Sequence, residues 1–150
     1  MQPLPLEFLV PLGALESVAD LIPFVIFALV LANFATRFLA QRSYERLAAE
    51  GDGDDAMSRY LPHEATNVLL VLSSFAYMVV HPHGGMVLSV LVVGLFISDV
   101  FEYESRCVEA RNDLELEKPK GSIAASALVF LYAGFQALFF VVQPLWSAVV

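Results

Sequence analysis

Asp99 has the strongest claim to chemistry in this chain. It lies in the apolar run from Met86 to about Phe101, where an ionised carboxylate is costly unless an opposite charge or hydrogen-bond donors meet it. The chemistry open to it is that of a proton or ion relay, or of a charge-gated contact. Arg37 is the candidate partner: counted from segment midpoints near residues 30 and 93, Arg37 lies about 10 Å and Asp99 about 9 Å toward the same end, at 1.5 Å per helical residue. The two side chains meet if the first and third apolar segments are neighbours. The plainer reading is an interhelical ion pair, or Asp99 reaching water at the edge of its segment.

Other reactive types are sparse. His81 and His83 stand two apart in HPHGG and could hold a transition metal through imidazole, but that stretch supplies no further ligand. His63 is about 27 Å away if the 18 intervening steps are helical, so it does not complete their site, and the same separation argues against a haem held between histidines. The basic KPKG at residues 118–121 precedes a helix start yet lacks the glycine and spacing of a phosphate-binding loop; its lysines read as snorkelling side chains. Cys107 is the only cysteine, which excludes an internal disulfide and a cysteine-held metal. No Ser, His and Asp arrangement suggests nucleophilic catalysis. The chain is read as a non-enzyme with no cofactor. Glu102, Glu104 and Glu109 form a charged helix face, and Glu102, Arg106 and Glu109 are the candidate residues for docking a partner.

The elements that would position Asp99 and Arg37 follow from charge and hydropathy. All eight Lys and Arg residues fall in two stretches, Arg37 to Arg59 and Arg106 to Lys120, and short loops bearing such residues stay on the cytoplasmic side of a membrane. Four apolar segments, 21–39, 62–80, 86–101 and 122–142, approach the roughly 20 residues that cross a hydrocarbon core. The expected fold is an all-α four-transmembrane-helix bundle filling residues 1–150 as one membrane domain. Both termini lie outside, with cytoplasmic loops at 40–61 and 102–121. The first loop begins helical and breaks at GDGDD. Residues 1–20, broken by Pro3, Pro5 and Pro11, form an outer surface segment with at most a short helix over Leu12 to Val18. HPHGG reads as a tight turn using both glycines. The third helix, carried on through EYESRCVEARND by the i,i+4 pairs Glu102–Arg106 and Arg111–Glu115, is expected to be the longest and to extend into the cytoplasm. No basic region precedes the first apolar run, so that run is expected to remain in the mature protein.

Within the spans, Asn33, Thr36, Ser73, Ser74, Tyr77, Ser98, Tyr132 and Gln136 supply hydrogen-bonding groups at several depths. They read mainly as ties between helices. The small-residue pairs Ala28–Ala32, Gly94–Ser98 and Ala133–Ala137 permit close approach, and Trp146 suits an interfacial anchor. A net charge of −8 disfavours nucleic acid as a partner. Acidic loops poor in lysine also fit a salty cytoplasm, where ions screen their repulsion.

The stretches MQPLPLEFLVPLGALESV, SDVFEYESRCVEARNDLELEKPKGSIAAS and FFVVQPLWSAVV resemble a family of small integral membrane proteins from halophilic archaea whose function is uncharacterised. The likeness extends over most of the chain and implies a cell-membrane location, with no activity to carry over. The expected role is a non-catalytic accessory, assembly or scaffold component of a membrane complex, with the lipid bilayer and either another membrane protein or further copies of the chain as partners. One alternative is a small oligomeric transporter or channel using Asp99. Another is a lipid- or pigment-binding protein using the aromatic fourth helix, with Phe130, Tyr132, Phe135, Phe139 and Phe140.

Overall fold

The computed structural model describes residues 11–51 and 57–150, and the side chains of these except 140 and 141. Most of the outer segment's prolines, and the GDGDD turn beyond Gly51, lie outside the described residues. The described chain folds into five helices: α1 (Leu12–Ser17), α2 (Ile22–Glu50), α3 (Leu61–Val80), α4 (Pro82–Arg111) and α5 (Lys120–Val149). The last four are long and apolar enough to cross a membrane. Each of them opens beside a proline: Pro23, Pro62 and Pro82 lie in the first turn, and Pro119 directly precedes α5. There the missing N–H leaves no bond unmade and the fixed φ already suits the helix.

Helices α2 to α5 pack in sequence around a square, α2 on α3, α3 on α4, α4 on α5 and α5 back on α2, leaving α2 diagonal to α4 and α3 diagonal to α5. The inward stripes recur at alternating steps of three and four. In α2 the stripe is Ile26, Val30, Asn33, Arg37, Ala40 and Tyr44; in α3 it is His63, Asn67, Leu70, Ser74 and Tyr77. That spacing is the seam of helices crossing at about 20°. Its content is the reverse of a soluble bundle, because polar residues lie inside while Phe38, Val90 and Leu131 are 59%, 68% and 65% exposed.

The structure departs from the sequence reading in several places. Helix α2 runs eleven residues past Leu39, so two helices leave the apolar region together rather than α4 alone. They are held by a second small core in which Ala40, Tyr44, Met57 and Ala110 are buried, with Tyr44 and Tyr103 edge to face at 5.5 Å. Helix α4 is no longer than α5; each has 30 residues. Glu115 lies beyond the end of α4, so it is not one helical turn from Arg111. Of the three small-residue pairs only Ala133 and Ala137 are both buried; Ala28, Ala32 and Gly94 face outward.

The connection between α3 and α4 is tighter than HPHGG suggests. The chain reverses at His81 alone, and Pro82 to Gly85 already belong to α4. Gly85 is needed for proximity: a Cβ there would stand 2.1 Å from the Met78 Cα. Gly85→Ala is therefore expected to cost more than the about 1–3 kcal/mol of ordinary overpacking. Gly94→Ala, with nothing within 4 Å of its added methyl, should gain about 0.5–1 kcal/mol from helix propensity. Thermal unfolding of both variants in detergent checks the contrast.

Candidate functional site: a buried polar cluster

Arg37 on α2 and Asp99 on α4 are joined across the bundle. Both guanidinium nitrogens Nη1 and Nη2 donate to the carboxylate, the second at 3.0 Å. Their helices are not neighbours, as the sequence reading required them to be, but diagonal; the long arginine side chain covers the difference. The pair is shielded from solvent, with side chains 6% and 10% exposed, so its geometry must offset the loss of two hydration shells. A bidentate guanidinium–carboxylate contact is the arrangement best suited to that. Arg37 Nη2 also donates to Asn33 Oδ1 at 2.8 Å, one turn back on α2, while its Nε is buried without a partner.

Helix α3 completes the cluster. Asn33 Nδ2 donates to Asn67 Oδ1 at 2.7 Å and to Thr66 Oγ1 at 2.9 Å. His63, 5% exposed, places Nε2 3.3 Å from Asp99 Oδ2 and Nδ1 2.9 Å from Thr36 Oγ1. With a neutral ring protonated on Nε2, the Thr36 hydroxyl donates to Nδ1. With both ring nitrogens protonated, Nδ1–H donates to Thr36, whose hydroxyl then turns to the Asn33 carbonyl 3.1 Å away. Either state leaves every ring nitrogen partnered, so the frame accommodates one added proton by turning a single hydroxyl.

Glu102 and Arg106 extend the polar region toward the loops. Arg106 Nε donates to Gln41 Oε1 at 2.9 Å, its guanidinium lies 5.4 Å from the Tyr44 ring centre, and it stands 3.9 Å from Glu102. The Glu102 carboxylate accepts from the Ser122 backbone N–H at 2.9 Å and from its hydroxyl at 2.7 Å. A carboxylate in the first turn of α5 satisfies an orphan N–H and complements the helix dipole. Gly121 permits this approach, because a Cβ there would lie 2.9 Å from Glu102 Oε1. Glu109 accepts from the Glu117 N–H at 3.1 Å. The three residues expected to dock a partner thus bind their own chain: Arg106 is turned inward, and the two carboxylates hold the loop and helix start that follow α4.

Between Arg37, His63, Asp99, Tyr103 and Arg106 there is a cavity of about 10 Å³, room for at most one water. Beyond the cluster the interior is mostly apolar, with Val30, Leu70, Leu95 and Val129 at most 1% exposed, and with Ser74 and Ser89 as buried hydroxyls among them. At the far end Tyr77 donates to Gln136 Oε1 at 2.5 Å, closing the other diagonal. His81 packs against the Tyr77 ring at 5.0 Å and His83 borders an open groove with it. Among the described residues no three His, Cys, Asp or Glu side chains converge as a metal-holding group.

Thr66 and Asn67 carry no weight in the sequence reading, which weighs His63 only as a metal or haem ligand and sets it aside as too distant from His81 and His83. The signal that finds them is repetition: Asn33 and Arg37 on α2, and His63 and Asn67 on α3, are i,i+4 polar pairs at the same end of their apolar runs. Spacing alone shows that each pair shares a helix face; that the faces meet requires the packing.

A family model described as a domain of unknown function (DUF7313) matches residues 2–150, and the chain belongs to that family. No curated protein and no solved structure matches it.

Removing one member of the central pair strands a buried charge. Arg37→Met or Asp99→Leu alone should cost about 3–5 kcal/mol, and the double variant should recover most of that loss; thermal unfolding in detergent is the measurement, and a double variant no more stable than the singles would refute the coupling. Glu102→Ala should cost about 1–2 kcal/mol, as loss of a helix cap does, with hydrogen exchange rising first at Gly121 to Ile123.

Proposed function

We propose that this DUF7313 member is a multi-pass protein of the cell membrane, with its Lys- and Arg-bearing end in the cytoplasm and both termini outside, and that it serves as a non-catalytic accessory or assembly component of a membrane complex. The observation carrying this reading is that the interior is already occupied. The cluster's charged and amide groups are bonded to one another, the small cavity beside them admits no substrate, and Val30, Leu70, Leu95 and Val129 fill the layer beyond. What the molecule offers to others is its exterior. Large apolar side chains cover the outward helix faces, and lipid or the helices of another membrane protein match such a surface. The grouping of Lys and Arg supports the orientation, and the net charge of −8 supports a high-salt cytoplasm of the halophilic archaeal kind.

A second reading, a proton-coupled transporter built from several copies, is favoured by one observation. His63 bridges Asp99 and Thr36 in an arrangement that tolerates both of its protonation states. Purification in mild detergent separates the two readings. The accessory role predicts a second protein in fixed ratio and no ion flux in liposomes; flux from the chain alone, lost in Asp99→Asn, would overturn it. Orientation is tested by cysteine labelling of intact cells. Cys107 should resist a membrane-impermeant maleimide, while Ala148→Cys in a Cys107→Ser background should react.

A further inference from the structure

Among the described residues, helix α5 outruns the elements that hold it, the last of which, at Ala19 and Asp20, reach only as far as Gln143. Gln136 bonds Tyr77 and would lie 3.0 Å from a Cβ placed on Gly84, so it stands level with the turn between α3 and α4. The helix continues from there to Val149, roughly 15–20 Å further at 1.5 Å per residue. From Gly121 to Val150 there is no charged residue. In the last turns Leu145 is 66%, Trp146 69% and Val149 86% exposed.

The overhang shares a face with the rest of the helix. Leu128, Leu131, Phe135, Leu138, Val142 and Leu145 recur at alternating steps of three and four along the outward side, and all are at least 42% exposed. Inside lipid such a seam gains little from pairing, because lipid tails are as apolar as leucine. Beyond the lipid the balance changes, since water then meets the same seam and burying it is favourable. If the α3–α4 turn marks the membrane surface, an upright α5 carries Leu145 and Val149 through the headgroup layer toward water.

We infer that α5 is the contact surface for a second copy of this chain, the two α5 helices lying parallel with their outward seams together. This rests on the membrane reading above and names the surface that reading leaves open. A second copy suits the surface for two reasons. Two copies inserted with the same orientation place both overhangs at the same height, so each covers the other. The seam carries no charge and demands none from its partner, and its three–four spacing is that of knobs packing into holes between like helices. Pro144, the residue least suited to helix packing, is turned about 100° to 160° from Val142 and Leu145 at 3.6 residues per turn, away from the seam.

The test is cysteine cross-linking in native membranes, in a Cys107→Ser background so that each introduced cysteine is alone. Leu138→Cys and Leu145→Cys lie on the seam; Ser147→Cys lies on the opposite face and is also exposed. On mild oxidation the seam positions should give a dimer band several-fold stronger than Ser147→Cys, and removal of residues 144–150 should reduce the Leu138→Cys band. Equal bands at all three positions, or the strongest at Ser147→Cys, would overturn the inference. A chain that extracts from membranes with carbonate would instead overturn the membrane reading beneath it, so the two failures are distinguishable.

Discussion

The central constraint is that a guanidinium and a carboxylate from opposite corners of the bundle must meet away from water. Neither Arg37 nor Asp99 is tolerable there alone, and together they join two helices across a diagonal of the bundle, which otherwise meet in the second core at the charged end. The other polar members follow from that demand. Asn33 steadies Arg37 from the same helix, Asn67 steadies Asn33, and His63 takes a place beside the second carboxylate oxygen. Because the cluster's side chains come from three helices, a rotation of any one about its axis breaks bonds to the other two.

The two diagonals of the square are closed by different chemistry at different heights. The α2–α4 diagonal is ionic and lies near the charged loops; the α3–α5 diagonal is the Tyr77–Gln136 hydrogen bond, near the far end. Between them the packing is mostly apolar and depends on shape, as the closeness of Gly85 to Met78 illustrates. Polar contacts specify which helices face each other and at what register. Dispersion among close-packed side chains supplies the rest.

The charged end has its own economy. Helices α2 and α4 leave the apolar region together because Tyr44, Ala110 and Met57 give them a second core, and Glu102 serves the chain twice, beside Arg106 and in the first turn of α5. Two of the three carboxylates of that charged helix face, Glu102 and Glu109, are thereby committed to the fold. The outward surface, the overhanging α5 above all, is what remains for other molecules.

Taken alone, the sequence determined that four apolar segments form helices long enough for a membrane, that α4 continues past its span, and that Asp99 and Arg37 lie at matching depth. These follow from local quantities: run length, proline at helix starts, rise per residue and the cost of a lone buried charge. It did not reveal that the pair spans a diagonal, that His63 and Asn67 join it, or that Glu102 caps a helix eighteen residues on. Each of those depends on which faces meet, and in an almost uniformly apolar helix the pattern that marks the inner face is faint. Periodicity places a residue on a side of its own helix; only packing decides what stands opposite, and for Arg37, His63 and Asp99 what stands opposite is the whole of their chemistry.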